Sequence, residues 1–170
     1  MRITVIGAGF ASLTAVKTLR KQSKTVDITV IAPKAEFVYL PSVIWLPTKL
    51  RTADDLCIDL THYFTKMRVN FVAGKVQKIS DDGRQVFTDN DTVENDALII
   101  AGGGRFIKKL PGIGHVLTPC EGIRVGEKSR DRLAAMKSGT IAMGFGGDPK
   151  EPTAMRGGPM FEFVFIIETL

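Results

Sequence analysis

Residues 2–12 read Arg-Ile-Thr-Val-Ile-Gly-Ala-Gly-Phe-Ala-Ser, and the order of side chains in this short stretch decides the fold. Ile3, Thr4, Val5 and Ile6 are all β-branched, a run that suits a strand covered on both faces. The run passes without a linker into Gly7-Ala8-Gly9, where the backbone is free to turn sharply. Beyond the turn, Leu13, Ala15, Val16 and Leu19 recur at helical spacing, with Lys17, Arg20 and Lys21 on the opposite side. This pattern predicts a helix to about residue 22. Ile28-Thr-Val-Ile-Ala32 is a second apolar strand, and Pro33 ends it. The first 33 residues thus predict one βαβ unit with a glycine-rich first turn.

Such a turn has a use. Gly7 permits the tight reversal, and Gly9 removes the side chain where a pyrophosphate would press on the backbone. The helix start offers unbonded N–H groups and the positive end of a dipole. Strand, glycine turn, helix and second strand in succession make this a dinucleotide phosphate site, with Gly7, Ala8, Gly9, Phe10 and Ala11 as its backbone. Ser12 holds the third glycine position and is small enough for close packing of helix on strand. An acidic residue normally closes the second strand and binds the ribose hydroxyls. Here that place is taken by Ala32, then Pro33 and Lys34. A nicotinamide cofactor that must come and go depends on that carboxylate more than a permanently held dinucleotide does, so the composition favours the latter. An NAD(P)-dependent dehydrogenase stays open as the alternative.

Working outward, residues 36–52 carry Pro41 and Pro47 and predict a loop-rich excursion, after which Thr52-Ala-Asp-Asp opens a helix with acidic residues in its first turn. Val69–Ala73, Lys75–Ile79 and Gln85–Thr88 predict short strands, with Ser80-Asp-Asp-Gly83 as a hairpin turn. Asn95–Ala101 is another apolar strand and runs into Gly102-Gly103-Gly104. A helix is expected from about Val125 to Met136. Then Gly139-Thr-Ile-Ala-Met-Gly144-Phe-Gly146-Gly147 repeats the strand-then-glycine order and predicts the opening of a second dinucleotide fold. Residues 159–170 predict a helix with Phe161, Phe163, Val164, Phe165, Ile166 and Ile167 on nearly every side, a segment through which two copies can pair. The fold class is therefore α/β: a Rossmann-like βαβ fold with a small β-hairpin insertion, plus the start of a second such fold. The expected division is 1–115 for the first domain and 116–170 for a connecting segment and the second domain's beginning.

Composition narrows the partners. The 170 residues carry 23 basic and 18 acidic side chains that interleave along the chain, which is the pattern of a solvated mixed surface and not of a nucleic-acid binder. Arg105-Phe-Ile-Lys-Lys109 is the densest basic patch, and its apolar pair allows peripheral contact with a membrane. No apolar run reaches membrane-spanning length, and the chain opens directly on a strand, so a cytoplasmic location is expected, with membrane association as the variant. Cys57 and Cys120 form no disulfide framework and no metal spacing, and no metal site is expected. His62 and His115 lack a carboxylate at a useful spacing.

Four stretches together carry a resemblance: Val5-Ile-Gly-Ala-Gly-Phe-Ala11, Val38-Tyr-Leu-Pro-Ser42, Ala97-Leu-Ile-Ile-Ala-Gly-Gly103 and the glycine-rich 141–147. The chain resembles the FAD-dependent pyridine nucleotide-disulfide oxidoreductases, above all the sulfide:quinone oxidoreductases and the flavoproteins of flavocytochrome c sulfide dehydrogenases. The likeness covers nearly the whole chain but less than half of such an enzyme. It implies FAD at Gly7–Ala11, with ribose and adenine near Ala32, Pro33, Lys34 and Val76, and further contacts at Pro41, Ser42, Ala101, Gly102 and Gly103. It implies a parent oxidoreductase that takes electrons from a small donor, sulfide or a pyridine nucleotide, and passes them through flavin to quinone or another acceptor, with NAD(P) or quinone as further ligands. Cys120 aligns with a cysteine near the flavin and is the candidate catalytic residue. Met155 and Arg156 stand where sulfide oxidisers of this group carry a redox cysteine. The isolated chain is expected to lack turnover and to serve as a nucleotide-binding module.

Overall fold

Four parallel strands form the centre of the computed structural model, which describes residues 1–104, 108–109, 111–144, 150–151, 153 and 157–169. They are β1 (Arg2–Ile6), β2 (Asp27–Ala32), β5 (Val69–Ala73) and β9 (Ala97–Ile100), in the spatial order β5-β2-β1-β9. The registers Val5↔Val30, Val5↔Ile99 and Val30↔Phe71 put apolar side chains side by side across the sheet. Helix α1 (Phe10–Gln22) connects β1 to β2 as the first residues predict. Ile3, Val5, Val16, Val26, Ile28 and Val30 form the buried core with Phe37, Leu60 and Phe64. Each contributes about 2 kcal/mol of apolar burial.

The hairpin insertion is present and carries one more strand than expected: β6 (Val76–Ile79), β7 (Gln85–Thr88) and β8 (Thr92–Glu94) make an antiparallel sheet of three. Its turn is built by the Ser80–Gly83 segment, with Gly83 at φ 71° and its N–H donated to the Ser80 carbonyl at 2.9 Å. At the sheet's far end Arg2 donates its N–H to Asp96 Oδ2 at 2.7 Å, and its guanidinium lies 3.2 Å from Glu94 and 3.3 Å from Asp96. Those hydrogen bonds hold the Asp96 carboxyl below its ordinary range.

Three segments differ from expectation. Residues 36–52 are more ordered than a loop: Glu36–Val38 (β3) pairs antiparallel with Cys57–Asp59 (β4), and Leu40–Trp45 is a 3-10 helix. A short helix, α3 (Thr61–Met67), follows β4; Asp59 Oδ1 accepts the Thr61 N–H at 2.8 Å, and burial of Phe64 anchors the helix to the core. Residues 139–144 form no strand, because no neighbouring strand among the described residues offers them a ladder. The glycines at 146 and 147 lie outside the described residues.

Arg20 corrects the helix's polar face. Its side chain is 7% exposed and not in solvent. The guanidinium donates to the carbonyls of Met67 at 2.8 Å, Val26 at 3.0 Å, Arg68 at 3.0 Å, Lys24 at 3.2 Å and Ser23 at 3.4 Å. The fork thereby ties the end of α1 to the α3–β5 turn, where Arg68 takes φ 51°.

The chain divides into two compact units, Met1–Val38 with Cys57–Arg105 and Tyr39–Leu56 with Phe106–Leu170. In the second, α2 (Ala53–Leu56) opens as expected: Thr52 donates its N–H and hydroxyl to Asp55, which lowers the Asp55 carboxyl. Helix α4 (Ile123–Ala135) lies on the core formed by Val43, Leu46, Leu56 and Ile123. Gly126 allows this, since a Cβ there would sit 2.9 Å from Leu46 Cδ1. Helix α5 (Gly158–Glu168) buries none of its residues, and Phe161 and Phe165 are 57% and 64% exposed. Among the described residues no helix is long and apolar enough to cross a membrane.

Candidate functional site

From β1 the chain moves to β2 and β5 on one side, and later returns to the other side of β1 as β9. The strand order therefore reverses at β1, and the carboxyl ends of β1 and β9 flank that switch point. The glycine turn follows β1 directly at this end of the sheet. Gly7 donates its N–H to the Ile31 carbonyl at 2.8 Å on the β2 side, while Ala101 donates to the Ile6 carbonyl at 2.8 Å on the β9 side. The turn is thus held from both neighbours.

Gly7 takes φ 112°, and a Cβ built on it would stand 2.3 Å from the Ala101 carbonyl oxygen. Glycine at this place is a matter of backbone meeting backbone. Gly9 differs: it is the N-cap of α1 at φ −86°, and an added Cβ would meet nothing within 4 Å. An added Cβ at Gly102 or at Gly103 would likewise meet nothing within 4 Å. The first turn of α1 has no side-chain cap and no acidic residue, and its first backbone bond is Leu13 N–H to Gly9 carbonyl at 3.0 Å. N–H groups at such an uncapped helix start, beside glycine backbone without side chains, make an anion cradle. Ser12 fits closely beneath: it is completely buried, and its hydroxyl has no partner among the described residues.

The residues predicted for the adenosine side fall at the same edge of the sheet. Ala32 is buried at the end of β2, Pro33 and Lys34 are exposed just after it, and the Gly74 N–H reaches the Ala32 carbonyl at 3.0 Å two residues before half-buried Val76. No carboxylate closes β2; Glu36 lies on β3, in register with Asp59. Phe10 adds a side chain that backbone reasoning had not singled out. Its ring is 54% exposed and meets the Phe37 ring edge-on at 4.7 Å.

Pro41, Ser42 and Cys120 belong to the second unit. Pro41 is exposed and Ser42 buried in the 3-10 helix Leu40–Trp45, and Cys120 is exposed in the 3-10 turn Pro119–Glu121. His62 and His115 are both exposed. Met155, Arg156 and residues 105–107 of the basic patch lie outside the described residues. No cluster of three metal-ligating side chains occurs among the described residues.

Comparison with known proteins agrees with this architecture. The sulfide-quinone reductase of Aquifex aeolicus is 26% identical over 106 residues, 62% of this chain and 25% of that one. The nitric oxide reductase FlRd-NAD(+) reductase of Escherichia coli strain SE11 is 31% identical over 121 residues, 68% of this chain and 32% of that one. Among solved structures, the Aquifex aeolicus sulfide:quinone oxidoreductase matches with a TM-score of 0.72 at 24% identity, over 78% of this chain and 31% of that one. An NAD-dependent persulfide reductase from A. fulgidus matches with a TM-score of 0.66 at 21% identity, over 79% and 28%. The structural matches show the fold, and the chain spans a quarter to a third of the length of these relatives. The profile of one family, pyridine nucleotide-disulphide oxidoreductase, matches residues 1–147. The chain belongs to the pyridine nucleotide-disulphide oxidoreductase family.

Proposed function

We propose that this chain is the FAD-binding part of a flavin-dependent oxidoreductase. One observation carries the reading: at the strand-order reversal a helix starts without a side-chain cap directly after Gly9, where an added Cβ would meet nothing within 4 Å. That arrangement fits a pyrophosphate, whose charge the helix N-terminus stabilises. Gly7–Ala11 hold the phosphates, and Ala32, Pro33, Lys34 and Val76 border the adenosine. Ala101, Gly102 and Gly103 contact the part of the dinucleotide beyond the pyrophosphate. The missing carboxylate at the end of β2 favours a dinucleotide that stays bound over one that exchanges.

Bound FAD supplies the electron transfer chemistry that protein side chains lack. In this reading the whole protein takes electrons from sulfide or a pyridine nucleotide and delivers them to quinone or another acceptor. Both kinds of reductase occur among the relatives by name. Cys120 is the candidate catalytic thiol by resemblance, and its exposure leaves it open to reaction.

Titrating the chain with FAD and with NADH, alongside a Gly9→Ala variant, tests the reading. FAD is expected to bind tightly and NADH weakly. The Gly9→Ala variant is expected to keep its stability within about 1 kcal/mol, since its Cβ meets no protein atom, and to lose about tenfold or more in FAD affinity. Tight NADH binding with no uptake of FAD would overturn it.

A further inference from the structure

At the amino ends of β1 and β9, opposite the glycine turn, lies an open cleft of about 480 Å³. Arg2, Asp82, Arg84, Glu94 and Asp96 line it and are exposed; Asn95 lines it too and is 2% exposed. The charged groups have already matched one another. The Arg2 guanidinium serves Glu94 and Asp96, Asp82 Oδ1 accepts the Ser80 hydroxyl at 2.6 Å and the Arg84 N–H at 3.0 Å, and the Arg84 guanidinium donates to the Asp96 carbonyl. The Asn95 side chain is unmatched. Neither its Oδ1 nor its Nδ2 has a hydrogen-bond partner among the described residues, although its backbone N–H is fixed on the Arg84 carbonyl at 2.9 Å. A buried amide in this condition costs stability that an apolar side chain of similar size would not. Such a group marks a place that something outside the fold completes.

We propose that this cleft binds a small peptide-type ligand carrying an ammonium group, with its peptide unit paired to the Asn95 side chain. A carboxamide sets an acceptor beside a donor, and a peptide group is its complement, so two hydrogen bonds form together. Charge decides the other half of the assignment. Two guanidinium groups and three carboxylates leave one net negative charge around the cleft, which favours a cation over phosphate, sulfate or a carboxylate. The volume suits a molecule of dipeptide size. Exposed side chains change rotamer within nanoseconds, so those around the buried amide yield to a ligand. None of these residues borders the proposed FAD site, and loss of either site leaves the other.

The test is a nitrogen–proton correlation NMR titration of the full chain with glycylglycinamide, N-acetylglycinamide and inorganic phosphate, followed at the Asn95 side-chain amide and the Asp96 backbone N–H. Glycylglycinamide is expected to shift both signals to saturation, N-acetylglycinamide to bind several-fold more weakly for want of the charge, and phosphate to leave them in place. Asn95→Leu is expected to weaken glycylglycinamide about tenfold or more while melting at or above the parent's temperature, because the unmatched amide is gone. Glu94→Gln, an exposed change, is expected to weaken it several-fold with the melting temperature held. Parent signals that stay in place with glycylglycinamide, or move with phosphate instead, overturn the site. So does an Asn95→Leu chain that binds glycylglycinamide as tightly as the parent. An Asn95→Leu chain that melts well below the parent shows the amide to be satisfied within the fold, and overturns it too.

Discussion

A Gly7→Ala chain is expected to lose about 4 kcal/mol of folding stability, a large share of what a domain of this size has. Two costs add. Alanine is strained at φ 112°, and its Cβ would come within 2.3 Å of the Ala101 carbonyl oxygen, deep inside van der Waals contact. Neither neighbour yields easily: the Gly7 N–H is bonded to Ile31 and the Ala101 N–H to Ile6, so moving either strand end breaks a ladder bond. Urea denaturation of Gly7→Ala beside Gly9→Ala separates the two glycines. The first should unfold at much lower denaturant and the second near the parent's midpoint. A Gly7→Ala loss under about 1 kcal/mol would mean that β1 and β9 do not approach each other as described.

The second large effect is expected at Arg20. Replacing it by methionine keeps much of the apolar stem and removes the guanidinium that five carbonyls share. Those oxygens lie around the end of α1 and the left-handed Arg68 turn, where water replaces the fork only incompletely. A loss of about 3 kcal/mol is expected by denaturation. Arg20→Lys should recover only part of it, since one ammonium with three donors does not reach five carbonyls as the planar guanidinium fork does. A lysine variant as stable as the parent would show that charge alone, without the fork, closes this corner.

Arg20 also shows where sequence reasoning stops. By helical spacing it belongs with Lys17 and Lys21 on a polar face, and no local pattern signals that Met67 and Arg68, almost fifty residues on, supply acceptors for it. The parallel strands were legible because short apolar runs rich in β-branched residues at 3–6 and 28–31, and the Val-Asn-Phe-Val-Ala stretch at 69–73, suit strands, and the hairpin because Ser80-Asp-Asp-Gly83 suits a turn. Helix α3 was not: it has seven residues, two of them threonine, and is held by the burial of Phe64 and by the Tyr63 hydroxyl on the Leu13 carbonyl at 3.0 Å. Residues 139–144 err in the other direction. Their composition suits a strand, but a strand forms only against a partner. Within the site, Gly7 and Gly9 were readable as a pair, and the structure separates their roles: Gly7 serves the close approach of two strand ends, and Gly9 the space beside the helix start. Phe10's ring went unread because the motif concerns backbone, and its fixed orientation depends on Phe37, twenty-seven positions later.

A visible absorption spectrum tests most directly whether FAD binds at the glycine turn. The chain is purified, incubated with FAD, freed of unbound nucleotide by gel filtration and scanned. A flavin spectrum that travels with the protein, and is weaker in Gly9→Ala, is the expected result. A colourless protein after the same treatment would contradict it.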